Sequence, residues 1–208
     1  MNFMEITVII IAVTVLVSII GFSNEPFFNK LKFNPYDVKH SNQWYRFFTY
    51  GFLHAGWVHL LINMFVFYSF GRLVEMAYRA MFNTKYILYY LLLSVGALLL
   101  SVIPAFGKHK NDVFYNSVGA SGAVSAVLFA SILIAPLEKI YLFFIPVGIP
   151  AVLFGFFYLG YEYWMSRRAK DNIGHDAHFW GAVFGLLFTI LMKPSILLHF
   201  LNQLGFSL

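Results

Sequence analysis

Apolar runs of about 20 residues, separated by charged or turn-forming positions, recur at about 5–22, 57–77, 85–106, 118–136, 140–164 and 176–193. Each is long enough to cross a hydrocarbon core of about 30 Å, which takes roughly 20 helical residues. No run shows the period-2 alternation of a barrel strand. Helices are the other way to satisfy every backbone group in lipid. The pattern therefore predicts an all-α membrane protein, a bundle of six transmembrane helices forming one domain over residues 1–208.

The polar interruptions refine this picture. About 34 residues separate the first two runs, and they are rich in aromatics, from Phe27 to Phe52. A connection of that length is usually functional, and its rings predict a folded element embedded in the membrane interface. Arg46 lies within it and requires an acidic, carbonyl or headgroup partner. Glu75, late in the second run, is flanked by Arg72 and Arg79 at helical spacing, which predicts pairing among them. The third run ends at Pro104. The fifth contains Pro146 and Pro150, which predict a kinked helix. Residues 167–174 read as a mobile polar loop, and 194–208 as a short amphipathic helix along the membrane.

Composition agrees: 60% of residues are hydrophobic, 20% aromatic and only 11% charged, outside the range of soluble domains. There are no cysteines, which excludes disulfide frameworks, thiol nucleophiles and zinc-thiolate sites. The net charge of +5 is scattered singly or in pairs, which suits lipid headgroups and not nucleic acid. The first run lacks a basic flank and a small-x-small cleavage signal, so it reads as a retained span. With the N-terminus cytoplasmic, Arg72, Arg79, Lys85, Lys139 and Lys193 fall on the cytoplasmic side. Nine basic residues then fall opposite (Lys30, Lys32, Lys39, Arg46, Lys108, Lys110, Arg167, Arg168 and Lys170). Loop charge alone thus favours the N-terminus outside.

Strongly polar groups inside spans are costly and are by default functional hypotheses. Gly119-Ala120-Ser121-Gly122 opens the fourth run. Its small residues suit close helix packing, and a serine at a helix start also has unpaired N–H groups and the positive dipole end beside it. The sixth run carries His178, with Gly181 and Gly185 on the same face. If the two small-residue faces meet, His178 can serve Ser121 as general base; a histidine satisfied by a carbonyl is the alternative. In the second run, His59 and Asn63 lie one turn apart. With the Ser121 N–H they could form an oxyanion hole, or they could hold the bundle together by interhelical hydrogen bonds. His54, just before that run, reads as a brace for the long loop. His54, His59, His175 and His178, with Asp176, could gather a metal, but no HExxH pattern is present and no metal or other cofactor is expected. A Gly-x-Ser-x-Gly elbow is missing too, since Ala123 stands in the last place. No carboxylate stands where a third catalytic member is expected, because Asp176 points away from the face of His178.

These motifs together resemble the rhomboid family of intramembrane serine proteases. Gly119-Ala-Ser121-Gly122 is similar to its GxSG motif, Ala177-His178-x-x-Gly181-x-x-x-Gly185 to its AHxxGxxxG motif, and His54, His59 and Asn63 to its HxxxxHxxxN pattern. Trp44 and Arg46 resemble the family's WR element, with Tyr45 inserted. The resemblance implies a six-helix core whose fourth helix is short and central, with a Ser121–His178 dyad in a water-filled cavity and an oxyanion hole of His59, Asn63 and the Ser121 N–H. It implies endoproteolysis of single-span transmembrane substrates and an active site open to the extracytoplasmic side; the kinked, aromatic fifth span is where the bundle can yield, so substrate is expected to enter between the second and fifth spans. Some members carry an aromatic ring one turn after the nucleophile that stacks on the histidine; Ser125 stands there instead. The competing readings are a catalytically inactive rhomboid-like protein that binds membrane clients, and a small transporter. With no organellar presequence, the expected location is a bacterial cytoplasmic membrane.

Overall fold

A computed structural model describes residues 5–142, 146–168 and 173–206. Helix α1 (Ile6–Ser23) leads into three short helices, α2 (Glu25–Leu31), α3 (Pro35–His40) and α4 (Arg46–Thr49). Then follow α5 (Trp57–Phe82), α6 (Tyr86–Ser101), α7 (Ile103–His109), α8 (Ser121–Ile134), α9 (Ala151–Arg168), α10 (His175–Met192) and α11 (Ser195–Gln203). A two-residue hairpin of β1 (Lys139–Ile140) and β2 (Ile149–Pro150) precedes α9. The fold is thus the predicted helical membrane bundle, with α1, α5, α6, α8, α9 and α10 in the six runs. By length and composition, α1, α10 and the stretch Trp57–His109 are apolar enough to cross a membrane.

Helix α8 sits at the centre: every residue from Gly122 to Leu133 is buried. A helix enclosed on all sides needs small residues where its neighbours come closest. A Cβ at Gly181 of α10 would stand 2.2 Å from the Gly122 carbonyl oxygen, and one at Gly185 would stand 2.2 Å from that of Ala126. The two glycine stripes of the sequence do meet, backbone against backbone. At the far end of α8 the last carbonyl, of Ile134, accepts from His199 Nε2 at 3.0 Å and Gln203 Nε2 at 3.2 Å, both on α11. Unpaired helix-end carbonyls require such partners.

Helix α1 is built inside out. Its buried positions are Thr7, Thr14, Ser18 and Gly21, while Val13, Leu16, Ile19 and Ile20 are exposed. Small and hydroxyl residues face the protein and aliphatic ones face outward, as suits lipid contact. Its N-terminus is capped from another helix. Glu75 Oε1 accepts from Ile6 N at 2.9 Å, and Oε2 accepts from Thr7 N at 3.0 Å and Thr7 Oγ1 at 2.7 Å. The predicted pairing of Glu75 with its flanking arginines is therefore wrong. Arg72 binds Glu5 at 2.8 Å, and Arg79 donates to the Tyr86 hydroxyl at 2.9 Å. Unpaired N–H groups at a helix start are an attractive partner for a buried carboxylate.

The long first loop is folded, as expected, into α2, α3 and α4. Arg46 is buried at its centre. It pairs with Asp37 at 3.1 Å and donates to the carbonyls of Asn29 at 2.8 Å and Lys32 at 2.6 Å, and to Gln43 Oε1 at 2.6 Å. Trp44, Tyr45 and Phe48 stay exposed on its surface.

Three boundaries differ from the sequence reading. Helix α9 starts at Ala151, so Pro146 and Pro150 precede it and do not kink it. Proline lacks the helical donor and holds the preceding residue extended, and Pro150 sits opposite Lys139 in the hairpin. The third run does not stop at Pro104, which stands in the first turn of α7, where the missing N–H costs nothing. The predicted loop over 167–174 lies in part outside the described residues. Its described ends belong to α9, through Arg168, and to the approach to α10.

Candidate active site

The approach to Ser121 is held by the first loop. Phe33 and Ser117 exchange backbone hydrogen bonds at 3.0 and 2.9 Å, and Gly119 N–H donates to the Tyr50 carbonyl at 3.1 Å. Gly119 has φ +128°, which side chains rarely adopt, and it turns the chain into α8. Ser121 is the first residue of that helix, whose first backbone bond runs from Val124 N to the Ala120 carbonyl. Its own N–H therefore belongs to the unpaired group at the positive end of the dipole.

His59 faces this turn: a Cβ at Gly119 would lie 2.8 Å from its Cε1 and 3.0 Å from its Nε2. Its other nitrogen, Nδ1, accepts from Ala55 N–H at 3.4 Å. A neutral imidazole that accepts at Nδ1 carries its proton on Nε2, so His59 presents a donor beside Gly119. Asn63, one turn on and buried, donates one amide hydrogen to the His59 carbonyl at 3.0 Å. Its amide has a second hydrogen.

His54 is tied to α1 through Ser18. Ser18 Oγ donates to the Phe52 carbonyl at 2.8 Å and lies 3.0 Å from His54 Nδ1. With its one proton committed to Phe52, Ser18 accepts from His54 Nδ1–H. Among the described residues His54 Nε2 is buried without a hydrogen-bond partner, and the ring meets His59 edge to face at 4.9 Å. Burial, and then the neighbouring His59, push His54 down to about 3, so it is neutral.

Asn63, Ser121, Ser125, Tyr158 and His178 line one cavity of about 470 Å³ between α5 and α9. Its lining also reaches the hairpin strand at Lys139 and Ile140. The structure thus brings Ser121, His178 and Asn63 to one space, while His59 stands beside Gly119, two residues before Ser121. Gly122, Gly181 and Gly185 act in the helix contact and not in the cavity, and Arg46 and His54 lie behind it in the first loop. Ser125 does not face the histidine ring as a stacking partner would; its hydroxyl is 2.9 Å from that of Tyr158.

One residue that the sequence reading left without a role stands in this site. Glu162 of α9, buried, lies with Oε1 3.1 Å from His178 Nδ1 and Oε2 2.6 Å from His175 Nδ1. The expectation that no carboxylate reaches His178 is therefore corrected. The sequence did hold a signal, an ionisable residue inside an apolar run, but nothing in it tells which neighbour such a residue faces. Glu162, His175 and His178 also offer ligand atoms within 4.8 Å of one another, a set that could hold a metal ion. This set differs from the cluster of four histidines and Asp176 weighed above.

Residues 41–195 match the family model described as the Rhomboid domain. The chain is 36% identical over 166 residues to Rhomboid-like protein 11, chloroplastic, of Arabidopsis thaliana, across 72% of this chain and 53% of that protein. It is 31% identical over 146 residues to RHOMBOID-like protein 12, mitochondrial, of the same plant (64% of this chain, 42% of that protein). Rhomboid-related protein 1 of Caenorhabditis elegans is 31% identical over 166 residues, 77% of this chain and 43% of that protein. The chain thus spans about half the length of the curated relatives it matches. By their printed names these relatives lend no support to the expectation of a bacterial cytoplasmic membrane.

Proposed function

The chain belongs to the rhomboid family, and from that premise we propose that it is a serine endopeptidase that cleaves single-span membrane proteins in or beside their transmembrane segment. The observation that carries this reading is the shared cavity of Ser121, His178 and Asn63, with a His59 N–H beside Gly119 at the turn that leads into Ser121. Neither an inactive client-binding protein nor a transporter requires a nucleophile, a base and oxyanion donors in one place.

Ser121 Oγ attacks the scissile carbonyl carbon while its proton passes to His178 Nε2, the nitrogen not engaged by Glu162. The carbonyl oxygen becomes an oxyanion, for which His59 Nε2–H, the remaining Asn63 N–H and the Ser121 backbone N–H are donors. Collapse breaks the C–N bond, and His178 returns the proton to the departing amine. Water admitted to the cavity then attacks the acyl ester with His178 again as base, which regenerates Ser121. The substrate helix enters between α5 and α9, where the cavity lies, and the mouth faces the extracytoplasmic side.

The test is cleavage of a single-span substrate by purified protein in detergent, beside Ser121→Ala and His178→Ala. Both variants are expected to be inactive. Removing His59 is expected to lower kcat by about 10²–10³, the range for a lost oxyanion donor. Equal cleavage by wild type and both dyad variants would overturn the assignment.

A further inference from the structure

Building on that reading, we propose that Glu162 is the positioning residue for His178, so that the site works as a Ser121–His178–Glu162 relay and not as a bare dyad.

An ionised Glu only accepts hydrogen bonds, and both of its oxygens face imidazole nitrogens, at 3.1 Å for His178 and 2.6 Å for His175. Each histidine must then donate from Nδ1. For His178 this fixes the proton on Nδ1 and leaves the Nε2 lone pair as the base, the tautomer that proton abstraction from Ser121 requires. His175, in the first turn of α10, holds the second oxygen and so sets the rotamer of the carboxylate.

A second observation shows why such a device is needed. At the position one turn after the nucleophile, Ser125 has no ring to offer His178, and its hydroxyl is engaged with Tyr158 across the cavity wall. Orientation of His178 therefore comes from α9. Tyr158 and Glu162 are one helical turn apart, so one face of that helix contacts both the serine one turn below the nucleophile and the base. His178 lines the cavity and Glu162, buried, does not, so the carboxylate meets the ring from within the protein.

The experiment compares Glu162→Gln and Glu162→Ala with wild type, Ser121→Ala and His178→Ala on one transmembrane substrate. Glutamine keeps the shape but offers one acceptor to two imidazole donors; alanine offers none. The expected order of kcat is wild type, Gln, Ala, with KM within about twofold and a loss in the alanine variant on the order of 10²–10⁴, the span for general-base function and for a wrong histidine tautomer. A merely structural role would lower thermal stability and leave kcat of the folded protein unchanged. An activity-independent readout is ¹⁵N NMR of the His178 ring in the Ser121→Ala background, assigned by loss of the signal in His178→Ala. The ring proton is expected on Nδ1 with Glu162 present and is expected to leave Nδ1 in Glu162→Ala, which offers no acceptor. Wild-type kcat in Glu162→Ala, or a proton that stays on Nδ1 in that variant, overturns the proposal. If Ser121→Ala and His178→Ala also cleave normally, the protease reading itself has failed.

Discussion

Gly119 passes directly beneath the imidazole of His59: at φ +128°, a Cβ on this residue would lie 2.8 Å from His59 Cε1 and 3.0 Å from Nε2. Two independent demands, a backbone angle and a space, fall on one residue. Gly119→Ala is expected to displace the imidazole and reduce kcat by about 10²-fold or more, as for loss of an oxyanion donor. The expected thermal destabilisation is on the order of 1–3 kcal/mol for the strained angle. Steady-state cleavage and a melting curve on one preparation check both halves; a fully active variant contradicts the placement of His59.

The contact between α8 and α10 gives a different signature. Gly181→Ala and Gly185→Ala each drive a methyl group into a carbonyl oxygen of α8, Gly122 or Ala126. Backbone cannot yield as a side chain can, so each change is expected to cost about 1–3 kcal/mol as overpacking. Gly181 is one turn from His178, so its variant is expected to lose activity beyond what its melting temperature explains. Gly185, one turn deeper, is expected to lose mainly stability.

His54 makes stability depend on pH. Its folded value is depressed to about 3 against an ordinary 6.5, so between these values the unfolded chain binds a proton that the folded chain refuses. Stability is therefore expected to be full above about pH 6.5 and to fall with acidification through that window, by up to about 1.4 kcal/mol per pH unit. His54→Gln is expected to flatten this slope. Detergent-solubilised melting curves at several pH values provide the check, and an unchanged slope in the variant refutes the assignment to His54.

Glu75 fastens α1 to α5 with three accepted hydrogen bonds. Glutamine has one acceptor and would turn an N–H toward a backbone N–H. Glu75→Gln is expected to destabilise the chain by about 1–3 kcal/mol, the cost of a buried polar group left unpaired, with increased proteolysis at the N-terminus. Arg79→Ala, which removes only an exposed contact with Tyr86, is expected to be near neutral.

Much of this was readable in the chain because lipid is a strict solvent. Long apolar runs gave α1, α10 and the start of α5 nearly to the residue, while α5 runs on to Phe82 beyond the expected end at 77, and Ser121 and His178 stood out as polar groups where such groups are costly. The small residues on both helices supplied the way for them to approach. What could not be read was the direction of a side chain relative to a neighbouring helix. Glu75 looked like a partner for Arg72 and Arg79 because helical spacing is visible in sequence, whereas the start of α1, 68 residues away, is not. Glu162 escaped for the same reason, since its partner lies on the next helix. The start of α9 was misplaced because hydropathy counts Pro146 and Pro150 as part of an apolar run, while their backbone chemistry places them ahead of the helix.

The shortness of α8 sets a fixed ruler within a variable medium. Its 14 residues rise about 21 Å, against about 30 Å of hydrocarbon. Because protein surrounds it throughout, bilayer thickness acts on the outer helices and leaves the depth of Ser121 within the bundle unchanged. A substrate helix has no such shelter and follows the lipid. On the proposed proteolytic reading, the residue presented to Ser121 is then expected to be set partly by acyl-chain length, so a thicker bilayer is expected to slide the substrate past the serine and move the cut along its sequence.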